Sequence, residues 1–331
     1  MIDRVLRRGG PGIILALLLV VTVLPIAAQD DGDLSIIAPL ARGSLLLDGA
    51  ARDGLAVAVG ERGHVLVSRD QGRTWDQKQV PTVSLLTAVY LHDGELGWAV
   101  GHDAVILRTR DGGESWERVH YAPDEERPLL DVWFRDETNG FAIGAYGFFL
   151  VTEDGGDTWT PREIATVEEE EDDFYGGGFE YHLNHLSNPG EGRLFIAAEA
   201  GTVYRSEDGG ETWLSLPSPY EGSFFGSLPL GGDTLLLFGL RGHLYRSEDG
   251  GETWSLLESS TTAMLTDGIR LQNGTVVVAG LSGTLLVSRD GGLTFTLIQR
   301  EDRLGISSIL QTDDGGLILI GEGGVRRIEK L

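Results

Sequence analysis

Along residues 34–331, apolar runs of four to six residues alternate with short turns rich in Gly, Asp and Ser. One stretch shows the repeating unit. Leu85–Tyr90 is an apolar run that predicts a strand, and His92-Asp93-Gly94 predicts a turn after it. Leu96–Val100 and Ala104–Thr109 predict a second and a third strand, and Asp111-Gly112-Gly113 turns the chain into a fourth at Trp116–Val119. Runs this short and β-prone, bounded by Gly and Asp, predict strands and not helices.

The turn between third and fourth strands recurs as a motif. Ser206–Trp213 has copies at Ser68–Trp75, Thr109–Trp116, Thr152–Trp159, Ser247–Trp254 and Ser288–Phe295, all fitting Ser/Thr-x-Asp-x-Gly-x-Thr/Ser-Trp/Phe. This is the Asp-box, or BNR repeat. Its aspartates are Asp70, Asp111, Asp154, Asp208, Asp249 and Asp290, spaced by 41, 43, 54, 41 and 41 residues. A period near 40 with four strands per unit predicts an all-β fold, a β-propeller. A second marker lies ten residues before each box Asp: Gly60–Gly63, Gly101–Ala104, Gly144–Gly147, Ala198–Gly201, Gly239–Gly242 and Gly280–Gly283. A seventh copy, Gly321–Gly324, has no box behind it, so the expectation is seven blades. Blade seven then has only three strands of its own. The apolar run Leu34–Leu40 is expected to supply the fourth, closing the ring and covering an open edge.

Six regularly spaced aspartates resemble a metal or catalytic array only in one dimension. Each sits in its own blade, and its carboxylate is suited to accept turn N–H groups, so the boxes are expected to be structural. No metal site and no cofactor is expected. His182 and His185 are three apart, a spacing that does not put two strand side chains on one face.

Met1–Ala28 reads as a secretory signal: Arg4, Arg7 and Arg8 precede an apolar core at Ile13–Leu24, and Ile26-Ala27-Ala28 offers a cleavage site. The expectation is an exported protein, periplasmic or extracellular, with one propeller domain over 29–331. The chain has no cysteine, which excludes disulfides, thiol chemistry and Cys-based metal sites. Its 51 acidic against 26 basic residues give a net charge of −25. Such a surface repels nucleic acid and anionic lipid, so neither is expected as a partner.

The first-to-second and third-to-fourth turns share one face; the second-to-third turns and blade-to-blade loops share the other. That second face presents Glu61, Arg62, His102, Asp103, Tyr146, Glu199, Arg241 and Glu322, expected to converge on a central funnel and to form the binding site. The 54-residue step marks an insertion at about 161–190. It carries an acidic run from Glu168 to Asp173, then Tyr175, Phe179 and Tyr181 among glycines. A run of like charges is usually a solvated loop; aromatics directly after it are suited to gripping a partner.

The Gly-x-x-Gly markers, the boxes and the phrase Leu96-Gly97-Trp98-Ala99-Val100-Gly101 resemble the photosystem II stability/assembly factor-like family over about residues 34–331. The resemblance implies a seven-bladed propeller and a non-enzymatic scaffold role. The acidic charge separately favours a protein partner with a basic patch, such as a membrane-protein complex, and a monomer is expected. The photosynthetic members are associated with a basic binding patch of their own, whereas this face carries the acidic run. Two other readings compete. Asp-boxes also occur in sialidases and xyloglucanases, and Glu61 with Asp103 offers two carboxyls from adjacent blades. Arg62 and Arg241 supply two arginines, but a sialidase needs three, and its Arg-Ile-Pro motif is missing. The third reading is a periplasmic accessory of an envelope transport complex.

Overall fold

The computed structural model describes residues 34–164, 181–329 and 331. They form an all-β, seven-bladed propeller: six antiparallel four-stranded sheets and one of three strands. Blade two runs Leu86–Leu91, Gly97–Gly101, Ile106–Thr109 and Glu117–His120, within two residues of the sequence expectation at nearly every boundary. We call the strands of each blade a to d. The a strands are Leu46–Arg52, Leu86–Leu91, Leu129–Phe134, Leu183–Gly190, Phe224–Gly231, Leu265–Arg270 and Ile306–Gln311.

Blades pack face to face through apolar side chains, one cluster per interface. The box aromatic of each blade reaches the interface with the blade before it. Trp116 packs among Val57, Val67 and Leu107, and Trp213 among Phe149, Val151 and Ile196. The box itself is a closed hydrogen-bond system. In blade four the Ser206 hydroxyl donates to Asp208 Oδ1 at 2.8 Å and accepts from the Gly210 N–H at 2.8 Å. Asp208 also accepts the Thr212 N–H at 3.0 Å and the Thr212 hydroxyl at 2.7 Å. The boxes are further stitched between blades. Arg69, Arg108, Arg205 and Arg246, near the ends of c strands, donate to the carbonyls of Gly112, Gly155, Gly250 and Gly291 in the next blade's box.

The Gly-x-x-Gly marker has a packing cause. The Glu61, His102, Leu240 and Glu322 N–H groups donate to the carbonyls of Leu45, Leu85, Ser223 and Gly305, which lead into strand a. This brings the chain so close that a Cβ on Gly101 would sit 2.1 Å from the Leu85 carbonyl oxygen. The second glycine of blade one, Gly63, adopts φ +66, and its N–H donates to the Ser84 carbonyl of the next loop.

Among the described residues blade seven consists of Ile306–Gln311, Leu317–Gly321 and Gly324–Ile328. The expectation that Leu34–Leu40 supplies its fourth strand is corrected here. That segment forms no strand. It runs beside blade one, where the Ser35 N–H donates to the Val80 carbonyl at 2.8 Å and the Ala38 N–H to Gln77 Oε1 at 2.7 Å. Only then does it turn through Ala41–Gly43 to reach the start of Gly324–Ile328. The physical reason is polar: Ser35 is fully buried, its hydroxyl accepting the Val80 N–H, and this anchor commits the segment to blade one. Blades one and seven join instead through side chains. Leu46, Ala58 and Leu66 pack on Ile318, Ile320 and Val325, Arg73 pairs with Asp314 at 2.5 Å, and Arg327 donates to the Gln71 carbonyl at 2.6 Å.

Candidate functional site

In blades one, two, three and five, the b–c turn is a short 3₁₀ turn whose middle residue is left-handed: Arg62, Asp103, Tyr146 and Arg241, with φ of 57, 59, 55 and 58. The conformation lifts these side chains off the sheet. Arg62, His102, Tyr146, Arg241 and Glu322 are exposed, and Glu61, Asp103 and Glu199 half-exposed. Several are also tied down. Ser84 Oγ donates to Asp103 Oδ2 at 2.5 Å, and the Gly305 N–H donates to Glu322 Oε2 at 2.8 Å. None of the eight residues lines the cavity formed by the a strands.

Two of the candidates, Tyr146 and Glu199, meet His182 at the rim between blades three and four. The Tyr146 ring stands edge-on to His182, centroids 4.7 Å apart, and His182 Nδ1 lies 3.8 Å from Glu199 Oε2. The Gly147 N–H donates to the Tyr181 carbonyl, so the chain re-enters the blade here after the insertion. Arg118, in the last strand of blade two, lies over the exposed Tyr121 ring at 4.5 Å, and Arg127, in the loop that follows, lies over Phe148 at 4.2 Å. Glu168, Asp173, Tyr175 and Phe179 lie outside the described residues, as does Met1–Ala28.

The central cavity, about 340 Å³, is a second feature, one that turn residues did not disclose. Every strand a carries a β-bulge after its first residue. The residue beyond the bulge is Asp48, Ala88, Asp131, His185, Gly226, Asp267 or Ser308, and Asp48, Ala88, Asp131, His185, Asp267 and Ser308 line the cavity. The aspartates act as clasps between blades. Asp48 accepts the Val89 N–H at 2.9 Å, Asp131 the Leu186 N–H at 2.7 Å and Asp267 the Ile309 N–H at 2.8 Å. Desolvation pushes the Asp48 and Asp131 carboxyls up to about 7, and raises Asp267 as well. The same enclosure lowers His185. His182 and His185 thus go to different places, the rim and the cavity. Among the described residues no group of three or more His, Asp or Glu is placed to hold a metal ion.

The family described as Photosynthesis system II assembly factor YCF48 matches residues 47–128 and 122–278. The photosystem II stability/assembly factor HCF136 of Cyanidioschyzon merolae is 35% identical over 95 residues, 27% of this chain and 22% of that protein. Ycf48 of Thermosynechococcus vestitus is 40% identical over 43 residues, 13% of this chain and 12% of that one. The matched stretches therefore span less than a quarter of these relatives. Among solved structures, "YCF48 bound to D1 peptide" superposes with a TM-score of 0.67 at 22% identity, covering 86% of this chain and 92% of that one. A streptogramin B lyase superposes with a TM-score of 0.69 at 13% identity, covering 86% and 93%. Likeness at that level is likeness of fold, and one propeller of this shape is an enzyme. The matched residues of the family, most of blades one to six, show that this chain belongs to the photosynthesis system II assembly factor YCF48 family.

Proposed function

We propose that the chain is an exported, non-enzymatic assembly factor that binds a protein partner at the rim of blades two to four. The observation that carries this reading is the exposed Tyr146, half its surface open, set against His182, with Arg127 of the preceding loop over Phe148 two residues further on. Aromatic and arginine side chains dominate binding energy at protein interfaces. The acidic run Glu168–Asp173 and the net charge of −25 favour a partner with a basic patch, such as a membrane-protein complex. The solved relative bound to a D1 peptide supports a protein as the ligand. Export rests on the leader at Met1–Ala28, and a mature chain starting near Gln29 is the expected intact mass.

Cross-linking in the native envelope followed by mass spectrometry identifies the partner. Tyr146→Ala is expected to weaken that complex at least about tenfold, the effect of a hot-spot residue, while Asp208→Ala leaves affinity unchanged in the fraction that folds. Equal loss from the box variant counts against the rim. Turnover of sialosides or β-glucans by the purified protein, abolished by Asp103→Asn, overturns the non-enzymatic reading.

A further inference from the structure

Among the described residues, blade seven leaves a strand edge open. In blades one, two and three the c strands Val65–Ser68, Ile106–Thr109 and Phe149–Thr152 are buried at every residue. Gly324–Ile328 is buried only at Gly324 and Val325; Arg326 is exposed, and Arg327 and Ile328 are half-exposed. It pairs with Leu317–Gly321 on one side, and among the described residues no backbone hydrogen bond reaches the other. The N-terminal segment covers only the tip, where a Cβ on Gly324 would lie 1.9 Å from the Arg42 carbonyl oxygen. About four residues of edge, roughly 13 Å, stay unpaired. Unpaired edges are templates for another strand.

The surroundings say what kind of strand fits. A groove of about 580 Å³ runs along the edge, lined by Arg42, Arg73, Arg300, Arg326 and Arg327 and by Trp75. Its one carboxylate is Glu329. Asp302 and Asp314, just outside, neutralise part of this charge through Arg300, Arg326, Arg73 and Arg327, and Arg42 has no ion pair among the described residues. On a chain of net charge −25 the groove is a local reversal of sign. A second copy fits poorly, because two such edges would set Arg326 and Arg327 against their own kind.

We propose that the open edge of blade seven is a β-augmentation site, taking an extended acidic segment of a partner protein as an antiparallel fourth strand. Backbone hydrogen bonds to Val325–Ile328 supply affinity, and Arg42, Arg73 and Arg326 select carboxylates. The site lies apart from the Tyr146 rim and does not depend on it.

The test uses the purified protein and two labelled decapeptides, one alternating Glu with Val and one alternating Lys with Val. The Glu peptide is expected to bind at least about tenfold more tightly by fluorescence anisotropy, and to slow hydrogen exchange at Val325–Ile328. Arg42→Glu with Arg326→Glu is expected to abolish that preference while the melting temperature holds. Should the pair fail to fold, Arg42→Glu alone, at an exposed unpaired position, is expected to weaken binding severalfold. Tyr146→Ala is expected to leave peptide binding intact, which separates this site from the rim. Equal binding of both peptides, no binding of the Glu peptide, or binding without slowed exchange at the edge overturns the proposal. So does a dimer whose edge is protected without any peptide.

Discussion

Single side chains show where the propeller keeps its stability. Trp213, 1% exposed, fills the interface of blades three and four with its ring edge-on to Phe149. Its indole N–H has no partner, so its contribution is packing. Trp213→Ala is expected to cost about 3–5 kcal/mol, the range for removing a large buried aromatic, read as a lowered denaturation midpoint with binding at the rim intact. A variant that keeps full stability would show that the box aromatic is not a core residue. The box aspartates act through polar satisfaction. The Thr74 hydroxyl and N–H hold Asp70 down at about 2, and the equivalent Thr158 and Thr253 do the same for Asp154 and Asp249. These carboxyls bring stability above the ordinary aspartate range, and lose it as the pH falls toward 2.

At the scale of the strand, the cavity aspartates respond to pH in the opposite sense. Asp48 and Asp131 keep their protons up to about 7 in the folded chain, against 3.8 ordinarily. Between those values the folded state binds more protons than the unfolded one, so their share of stability declines as pH rises from about 4 to 7 and is gone above it. The groups facing each other are Asp48, Asp131, Asp267 and His185. Asp48→Asn keeps an acceptor for the Val89 N–H and removes the charge. It is expected to raise the melting temperature relative to the parent at pH 8 and to change it little at pH 5; identical pH slopes for the two proteins count against the clasp. The N-terminal segment makes a separate prediction. Deleting residues 34–40 removes the Ser35 bonds to Val80 and is expected to lower the melting temperature, yet hydrogen exchange at Gly324–Ile328 should stay as it was. Faster exchange there would restore the segment to blade seven.

These elements also mark how far the sequence could be read. Spacing of the boxes disclosed blade number and strand order, because each turn requires Asp and Gly at fixed places. The clasps were legible in principle: Leu46-x-Asp48, Leu129-x-Asp131 and Leu265-x-Asp267 each put an acid inside a β-prone run. The bulge that turns those acids toward the cavity has no residue signature of its own, and so they went unread. The open edge was foreseen, but its covering was misassigned. An apolar run reports that a segment packs; a single buried hydroxyl, Ser35, decides against what. At the rim, Tyr146 and Glu199 were found by their turns, while His182 joined them through tertiary packing alone.

Over the whole molecule, the joint between blades one and seven carries a consequence for how the ring comes into being. Gln71 and Asp313, 242 positions apart, exchange two hydrogen bonds across it, and Arg327 reaches Gln71 over 256 positions. No such contact exists until blade seven has been made. Earlier blades can stack one on the next as they emerge, each with its own hairpins and its neighbour's box. The growing arc keeps two bare apolar faces, with Leu46, Ala58 and Leu66 on the first blade waiting for Ile318 and Ile320 on the last. Closure therefore comes last, against the entropy of the longest loop in the protein. A chain halted before blade seven would be a folded but open spiral, liable to join end to end with others of its kind.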